Sequence, residues 1–330
     1  MSARVLNEAE LRKAVGIDDA AFAAVENAFS CLQKGDVNMP PIMHIAAEDK
    51  NGDIDVKSAY VKGMPYIAIK IASGFYDNHL RGLPTGSAMM VLLDAQTGFC
   101  EAVLFDNSYL TDLRTGLAGA VAAKYLAPSV VETVGVIGTG VQARYQVECL
   151  ALQHRFKKIV VWGRSEDKAN SYAAEMTKKH GFDVEVAASP DDVVRKSQLV
   201  ITVTASNTPL VSAEALHEGL HITAAGADFP GKQELAAEIL TRADLLVCDR
   251  LAQCRVNGEI QHLISGDELP AELDIVELGE LTTGLRSGRQ SDQEITVCDL
   301  TGTGVQDTAI ANLAYSAALA TLACAVSPSQ

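Results

Sequence analysis

The chain lacks the usual marks of a secreted, zinc-binding or membrane protein. Its seven cysteines are scattered, with no Cys-x-x-Cys pair and no histidine at zinc-ligand spacing, which favours buried thiols in a reducing compartment. Residues 1–13 are polar and lack the apolar core of a signal peptide. The most apolar stretch, 313–326, is too short to span a bilayer. These absences predict a soluble, cytoplasmic protein without a metal site.

Positive charge is also scarce. The 330 residues include 27 Lys and Arg against 42 Asp and Glu, which gives a formal net charge of -15. This balance argues against nucleic acid and against an anionic membrane as partners. A small anionic substrate would therefore need a locally basic pocket. The length suits two domains with a large core, and no repeat or low-complexity linker is present.

The clearest positive signal is a glycine-rich turn between a predicted strand and a predicted helix. The β-branched run at 133–137 leads into Gly-x-Gly-x-x-Ala, and a helix is predicted over 144–153. The first glycine permits the tight turn, the second lets the backbone approach a pyrophosphate, and the alanine allows close packing. The helix N-terminus offers free N–H groups to the phosphates. We therefore predict a dinucleotide site formed by Gly138, Thr139, Gly140, Val141, Gln142 and Ala143.

The periodicity of the chain changes at about residue 131. Before that point the pattern predicts two helices within 7–34, an antiparallel sheet with strands at 56–61, 67–71, 88–93 and 102–105, and an Ala-rich helix over 111–126. Beyond it strands and helices alternate, as in a doubly wound parallel sheet. The strands predicted there are 133–137, 159–162, 184–187, 199–204, 222–225, 245–248 and 295–299. A last, mostly apolar helix is predicted over 308–326.

Further motifs, in order along nearly the whole chain, resemble the ornithine cyclodeaminase/mu-crystallin family. Beside the glycine-rich turn they are Gly-Leu-Pro-Thr at 82–85, Leu-Thr-Asp-Leu-Arg-Thr-Gly-Leu-Ala at 110–118, Ala-Gly-Ala-Asp-Phe-Pro-Gly-Lys-Gln-Glu-Leu at 225–235 and Gly-Thr-Gly-Val-Gln-Asp-Thr at 302–308. The resemblance implies hydride transfer between a nicotinamide and a carbon of an amino or imino acid. It also implies a homodimer. Residues 39–43 and 55–60 resemble the ectoine-utilisation-type subgroup, which implies iminosuccinate as substrate and aspartate as product.

Together these features predict an α/β fold with a doubly wound Rossmann sheet and a smaller N-terminal α+β domain. The expected bounds are 1–116 for the domain that binds substrate and forms the dimer, and 117–304 for the dinucleotide-binding domain. Residues 305–330 would form a C-terminal helix that returns to the first domain.

Lys70 and Arg114 are the candidates for handling the substrate. Lys70 matches the family's active-site lysine, and an ammonium there could bind a carboxylate and polarise the carbon that accepts the hydride. It could instead be a surface lysine of the sheet. Arg114 could grip a carboxylate through two parallel hydrogen bonds, or form a structural ion pair, for example with Asp112. Thr115 matches a family position that contacts the cofactor phosphates.

Asp228 is the third catalytic candidate, because it matches the cyclodeaminase aspartate that handles protons or water at the reacting carbon. It follows the strand at 222–225 at its carboxyl end, where α/β sheets place their sites. A general acid working near neutral pH would need burial or a proton relay through water. Asp228 could instead cap the turn before Pro230. Thr204 and Val305 are further cofactor-binding candidates.

Lys57 marks a departure from the family. Thirteen residues before Lys70, the cyclodeaminases carry a glutamate that holds the side-chain amine of the substrate. A lysine repels that amine and attracts a carboxylate, so we expect a substrate with a second acid group unless Lys57 faces solvent. Many members also carry Gln-Pro-x-Arg where this chain has Met-Pro-Pro-Ile at 39–42. One carboxylate contact is thus missing, or is supplied through His44 or Lys57.

The cofactor preference depends on the residues after the second parallel strand. Trp162 is followed by Gly163, Arg164 and Ser165, with no acid to bind a ribose 2′-hydroxyl. Arg164 and Ser165 could hold a 2′-phosphate, but the acids at 166 and 167 would repel it, and Arg164 could stack on adenine instead. We expect NAD(H) and leave NADP(H) open.

The sequence leaves three functions to separate. The first is an NAD(P)H-dependent imine reductase that converts a small α-imino acid to an L-amino acid. The second is an ornithine cyclodeaminase with tightly bound NAD, which Lys57 disfavours. The third is a non-catalytic, mu-crystallin-like ligand-binding protein, which Lys70, Arg114 and Asp228 together disfavour.

Overall fold

The computed structural model describes residues 3–264, 269–271 and 273–326, and these residues form two units. One unit runs to Arg114 and resumes at Thr303; the other is Thr115–Gly302. The sequence-based bounds of 116 and 304 lie two residues further along the chain. Within the described residues, no helix is long and apolar enough to cross a membrane. Six cysteines are free thiols, of which Cys100 is exposed against expectation, and the side chain of Cys324 lies outside the described part.

The first unit is built on a seven-stranded sheet. Its elements in chain order are β1 (Arg4–Asn7), α1 (Glu8–Ala14), α2 (Asp19–Gln33), β2 (Val37–Asn38), β3 (Met43–Ala47), a 3₁₀ turn (Glu48–Lys50), β4 (Gly52–Val61), β5 (Tyr66–Phe75), a 3₁₀ turn (Tyr76–Arg81), β6 (Gly86–Asp94), β7 (Cys100–Phe105), the start of α3 (Tyr109–Leu126) and α10 (Gly304–Val326).

The strand order of this sheet is β1-β7-β6-β5-β4-β2, and β3 also pairs with β4. The four predicted strands are confirmed, and their pairings are antiparallel as expected. The sequence does not predict β1, β2 and β3, which are only two to five residues long. The sheet is also not purely antiparallel, because β1 runs parallel to β7.

Polar side chains fix α10 to the sheet of the first unit. The Thr308 hydroxyl donates to the carbonyl oxygen of Ala59 at 2.9 Å, and the Asn312 amide donates to the carbonyl oxygen of Tyr66 at 2.9 Å. A Cβ atom on Gly304 would lie 2.5 Å from the carbonyl oxygen of Ser58, so the helix can begin this close to β4 only with glycine there. The observed start of this helix, Gly304, lies four residues before the start predicted from the sequence, residue 308.

The second unit contains an eight-stranded parallel sheet in the order β10-β9-β8-β11-β13-β17-β15-β16. Its strands are β8 (Thr133–Ile137), β9 (Lys158–Trp162), β10 (Asp183–Val186), β11 (Leu199–Thr202), β13 (His221–Ala224), β15 (Leu245–Cys248), β16 (Ile275–Glu277) and β17 (Thr296–Asp299), and β12 (Asn207–Val211) pairs separately with β14 (Gln233–Leu235). The helical segments are α4 (Val141–Leu150), α5 (Glu166–His180), α6 (Pro190–Arg195), a 3₁₀ turn (Ala213–Ala215), α7 (Ala237–Arg242), α8 (Leu251–Asn257), a 3₁₀ turn (Glu259–Leu263) and α9 (Leu278–Thr282).

This topology confirms the predicted doubly wound sheet. The strand order reverses between β8 and β11, and the glycine-rich turn follows β8 at that switch point, where such sheets bind ligands. The strands are buried, as their continuous apolar runs predict. The sequence misses β12, β14 and β16, which are three to five residues long and lack a strong apolar run.

Candidate functional site

A buried ionic cluster lies in the first unit, where β5, α3 and α10 meet. The Asp307 carboxylate is 3.0 Å from the Lys70 ammonium and accepts a 2.8 Å hydrogen bond from Arg114 Nε. A second nitrogen of Arg114, Nη1, donates to Gln306 Oε1 at 3.1 Å. Lys70 is 2% exposed, Arg114 5% and Asp307 0%. Lys70 is therefore not a surface lysine, and Arg114 does form a structural ion pair, with Asp307.

Lys57 belongs to the same cluster. It lies directly opposite Lys70 in the antiparallel register of β4 and β5, so both side chains lie on the same face of the sheet. Lys57 is 7% exposed, and the alternative in which it faces solvent is wrong. We call Lys57, Lys70, Arg114 and Asp307 the cationic cluster.

The charges of the cationic cluster shift the pKa values of its members. Burial lowers the pKa of Lys70 to about 7; Asp307 acts against this shift, and the positive charges of Arg114 and Lys57 add to it. Burial alone would raise the pKa of Asp307, but Arg114, Lys70 and Lys57 together hold it below its ordinary value. Lys70 can thus exchange a proton near neutral pH, while Asp307 stays ionised.

The cluster carries more positive than negative charge. Three basic side chains surround Asp307, and the nearby Asp106, whose pKa burial raises to about 6, adds a second carboxylate that is still mostly ionised at neutral pH, so two carboxylates face three basic groups. Buried charge without compensation is costly, so the arrangement is suited to an anionic ligand that balances it.

Two buried donors at the start of α10 point to the same kind of ligand. Within the part of the chain that the structure describes, the Thr303 hydroxyl and Gln306 Nε2 have no hydrogen-bond partner, although both residues are fully buried. Buried polar groups are nearly always hydrogen-bonded in native proteins. Both groups can donate, and the positive end of the helix dipole lies beside them. A carboxylate could accept a hydrogen bond from each of the two donors, and its negative charge would be stabilised by the positive end of the helix dipole.

The glycine-rich turn of the second unit has the geometry that a dinucleotide requires. Gly138 has φ of 125°, and a Cβ atom on it would lie 2.8 Å from the carbonyl oxygen of Val203. Gly140 is the N-cap of α4 and provides no side-chain cap, and the start of a helix after such a turn is where a phosphate binds. A Cβ atom on Gly140 would meet no described protein atom within 4 Å. These residues fit a pyrophosphate.

Arg144 braces this turn, a role that the sequence analysis does not identify. Its Nη1 donates to the carbonyl oxygens of Thr139 and Gly140, both at 2.9 Å. Its Nε and Nη2 bind the Glu175 carboxylate, and its guanidinium lies 5.1 Å from the centre of the Tyr172 ring. Arg144 thus fixes the carbonyls of the turn away from the N–H groups of α4.

The remaining candidates near the turn are placed as follows. Ala143 is buried, as close packing of α4 requires, and Val141 is 55% exposed. Thr115 lies next to α4, because Gln146 Nε2 donates to its carbonyl oxygen at 3.0 Å. Arg164 is exposed, and Gln142 is half-buried.

Three cofactor candidates already have structural partners. The Ser165 hydroxyl caps α5 by accepting from the N–H group of Lys168. The N–H group of Thr204 donates to the Glu234 carboxylate at 2.6 Å. The Val305 side chain is fully buried in an apolar cluster of the first unit, where it serves packing, and the role of Val305 in cofactor binding stays a prediction.

Asp228 differs from expectation in one respect. It follows β13 as predicted, but its side chain is 51% exposed and forms a 2.7 Å ion pair with Lys232. A half-exposed carboxylate at this position favours proton transfer through water over action as a buried general acid, and the catalytic role of Asp228 stays a prediction. The turn itself closes through a 3.2 Å hydrogen bond from Asp228 N–H to the Gly226 carbonyl oxygen.

Two buried carboxylates escape the sequence analysis although each lies in a motif that it quotes. Asp307 is an acid within the first turn of an otherwise apolar helix, a signal that could have identified it. Glu234 accepts hydrogen bonds from the Thr202 hydroxyl and from the N–H groups of Thr204 and Gly226, and so joins the loops after β11 and β13. Burial raises the pKa of Glu234 to about 7.

Comparison with known proteins places this geometry in context. The model of the ornithine cyclodeaminase/mu-crystallin family matches residues 1–321. An uncharacterized cyclodeaminase of Sinorhizobium fredii is 42% identical over 96% of both chains. The structure of an archaeal alanine dehydrogenase dimer with bound NAD is 36% identical, with a TM-score of 0.90 over 98% of both chains. The structure of the iminosuccinate reductase of Paracoccus denitrificans with NAD+ is 30% identical, with a TM-score of 0.84 over 97% of both chains.

Proposed function

We propose that this chain, which belongs to the ornithine cyclodeaminase/mu-crystallin family, reduces a dicarboxylic α-imino acid with NADH. The best candidate substrate is iminosuccinate, with aspartate as the product. In the overall reaction the imine carbon gains a hydride, the imine nitrogen gains a proton, and NADH becomes NAD+. The chain is an oxidoreductase like its relatives, and the proposal specifies its substrate.

The observation that carries the proposal is the excess of positive charge in the cationic cluster. Lys57 adds a second buried lysine directly opposite Lys70, and this extra positive charge favours a substrate with a second carboxylate over a monocarboxylate. Lys57 also argues against an ornithine cyclodeaminase, because a buried lysine repels the side-chain ammonium of a diamine. The buried Lys70 ammonium, 3.0 Å from Asp307 and with its pKa lowered to about 7 by burial, is suited to proton transfer and so favours an enzyme over a non-catalytic binding protein.

In this proposal, separate residues bind the two carboxylates of the substrate and donate the proton. We assign the α-carboxylate of the substrate to Arg114 and to the donors of Thr303 and Gln306, and the side-chain carboxylate to Lys57. Lys70, protonated at Nζ, polarises the imine and can donate the proton that the nitrogen needs. Asp307 keeps Lys70 partly protonated near neutral pH by opposing the effect of burial.

The cofactor would bind at the carboxyl end of β8, where the glycine-rich turn leads into α4. The N–H groups at Gly140 and the first turn of α4 would bind the pyrophosphate, braced by Arg144, and NADH when bound supplies the hydride. We assign NADH rather than NADPH because Glu166 and Asp167 lie in the first turn of α5, immediately after Arg164 and Ser165. Their negative charges would repel a 2′-phosphate.

We also propose a homodimer that forms through the outer face of the first unit's sheet. Side chains on that face alternate with those of the cationic cluster, and several are large, apolar and more than 40% exposed. They are Val5, Met43, Ile45, Tyr60 and Phe105. Light scattering should give twice the chain mass of 35.0 kDa, and Ile45→Asp should shift it toward the monomer. A cytoplasmic location, supported by the scattered cysteines, completes the proposal.

A spectrophotometric screen tests the proposed reaction. NADH and NADPH oxidation would be followed with oxaloacetate, pyruvate or glyoxylate plus ammonia, beside an assay for ammonia release from ornithine. We expect oxaloacetate plus ammonia with NADH to give the highest kcat/KM. Ammonia release from ornithine would identify a cyclodeaminase, and no turnover of any substrate would favour the binding protein. A preference for NADPH above about a hundredfold, or roughly 2.7 kcal/mol, would refute the cofactor assignment.

A further inference from the structure

Glu234 lies buried between the carboxyl ends of β11 and β13, two neighbouring strands of the parallel sheet. Its Oε2 accepts hydrogen bonds from the Thr202 hydroxyl at 2.6 Å and from the Gly226 N–H group at 3.0 Å. Its Oε1 accepts a hydrogen bond from the Thr204 N–H group at 2.6 Å. One carboxylate therefore ties the residues that follow β11 to those that follow β13.

The segment that Glu234 holds after β11 packs directly on the glycine-rich turn. The Val203 N–H group donates to the carbonyl oxygen of Ile137 at 2.9 Å, and a Cβ atom on Gly138 would lie 2.8 Å from the carbonyl oxygen of Val203. Two backbone segments packed this closely transmit a displacement from one to the other. The position of Thr204, fixed by Glu234, therefore affects the turn in which we place the pyrophosphate of NADH.

The loop after β13 also fits closely around Glu234. A Cβ atom on Gly226 would overlap Glu234 Oε2 and would lie 2.5 Å from the carbonyl oxygen of Thr204, so this approach requires glycine. The loop continues to Asp228, the catalytic candidate, two residues further along. The same carboxylate thus positions the start of both loops.

The three hydrogen bonds to Glu234 are those that an ionised carboxylate accepts best. The Thr202 hydroxyl can rotate and accept instead, but the backbone N–H groups of Thr204 and Gly226 can only donate. Protonation of Glu234 also turns charge-assisted hydrogen bonds into neutral ones, which are about half as strong. Burial raises the pKa of Glu234 to about 7, and the hydrogen bonds from Thr202 and Thr204 oppose this shift. Its hold on both loops therefore weakens as the pH falls through neutrality.

Other ionisable groups lie around this segment. Glu259, at the start of the 3₁₀ turn that follows α8, accepts a 2.8 Å hydrogen bond from the N–H group of Glu234. Burial raises the pKa of Glu259 to about 9, and the charge of Asp299 on β17 adds to this shift, so Glu259 stays protonated while Glu234 titrates. Further groups near the segment are Asp228 and Lys232, which form an ion pair with each other, and His262, whose Nε2 lies 2.8 Å from the Lys232 carbonyl oxygen.

We propose that Glu234 is a positioning residue for the cofactor: ionised, it holds the loops after β11 and β13 in the arrangement in which the glycine-rich turn binds NADH, and NADH affinity falls as this carboxylate takes up a proton. The inference rests on the proposed NADH site and holds whatever the substrate is. If only the ionised form bound NADH, about a tenth of the molecules would be competent about one pH unit below the pKa of Glu234, and the dissociation constant would rise about tenfold there.

The test measures NADH binding to the free enzyme by fluorescence titration across neutral pH. Wild-type affinity should weaken by about threefold to tenfold between about pH 8 and about pH 6. Glu234→Gln cannot ionise, so it should bind NADH more weakly than the wild type at about pH 8 and lose this pH dependence. Thr202→Val removes a hydrogen bond that stabilises the ionised form, so the pKa of Glu234 should rise and the weakening should begin at a higher pH.

Asp299→Asn is the matched control. It removes a second buried acid of the same sheet, whose pKa burial also raises to about 7, and which accepts a 3.0 Å hydrogen bond from the Ile260 N–H group. This variant should keep the wild-type pH dependence of NADH binding. Thermal unfolding would check that Glu234→Gln folds; if it does not, the wild type and Thr202→Val decide the outcome.

The outcomes separate this inference from the cofactor assignment. A wild-type change below about threefold, an undiminished pH dependence in Glu234→Gln or an unmoved midpoint in Thr202→Val would overturn the role of Glu234 and leave the NADH site in place. Loss of the pH dependence in Asp299→Asn would also overturn it, because the titrating group would then be Asp299. If the wild type binds no NADH at any pH, the cofactor assignment and this inference are both wrong.

Discussion

Replacing Lys57 with methionine tests the charge balance of the cationic cluster and the substrate that it selects. Methionine keeps an apolar side chain of similar length and removes an ammonium that is buried opposite Lys70. Directly opposed residues have Cβ atoms about 5 Å apart, and their side-chain charges can lie about 6–12 Å apart. At an effective dielectric constant of about 20, such charges repel by roughly 1.4–2.8 kcal/mol, or about one to two pKa units.

The sign of the effect follows from the cause of the shift. Burial lowers the pKa of Lys70 to about 7, and the charge of Lys57 lowers it further than burial and Asp307 alone would. Without Lys57 the pKa of Lys70 rises. If the ammonium is the active form, activity is present below that pKa and is lost as the pH rises through it. Lys57→Met should therefore move the falling limb of the pH profile upward by about one unit.

The assay measures kcat/KM against pH with pyruvate plus ammonia for the wild type and for Lys57→Met. Both proteins experience the same ammonia and imine equilibria, so a difference between their profiles belongs to the enzyme. With oxaloacetate plus ammonia, the variant should lose at least about tenfold in kcat/KM, one charged contact. The control is Lys62→Met, since Lys62 is an exposed lysine 3.9 Å from Asp36. The reasoning would be refuted if Lys57→Met left the falling limb of the pH profile at the wild-type pH and also kept the wild-type kcat/KM for oxaloacetate plus ammonia.

Three other substitutions have distinct expected outcomes. Asp307→Asn leaves Lys70 and Arg114 buried without their carboxylate; it should lower the free energy of unfolding by about 3–5 kcal/mol and move the falling limb to lower pH, opposite to Lys57→Met. Chemical denaturation and the pH profile would check both, and a limb that moves upward would contradict the pairing. Lys70→Ala should abolish imine reduction and leave NADH affinity, measured by fluorescence titration, nearly intact; wild-type kcat would exclude Lys70 from the reaction. Gly140→Val should keep the fold, because its Cβ meets no described protein atom within 4 Å, and should weaken NADH binding by at least about a hundredfold, or roughly 2.7 kcal/mol; unchanged affinity would place the pyrophosphate elsewhere.

The glycine-rich turn and the alternation of strands and helices are predictable from the sequence because they are local. The apolar, β-branched run at 133–137 predicts a buried strand. The residue after it, at position 138, has a φ of 125°, which glycine adopts far more readily than any other residue. Local signals also mark the helix α5, because Ser165 caps its start, acidic residues occupy its first turn and Gly181 ends it. Short strands such as β12 and β14 escape the same reasoning, because three to five residues carry too little periodicity.

The sequence by itself determined which residue types are available for chemistry: Lys70, Arg114 and Lys57 each stand out by position or by departure from a motif. Only the tertiary structure decided what surrounds them. The partner of Arg114, Asp307, lies 193 residues away, and no local pattern connects the two. Burial is equally non-local: it encloses Lys57 and leaves Asp228 half-exposed. The physical reason is that a charge takes its pKa and its role from solvent exclusion and from neighbouring charges, and both arise from strand register and helix packing, not from chain order.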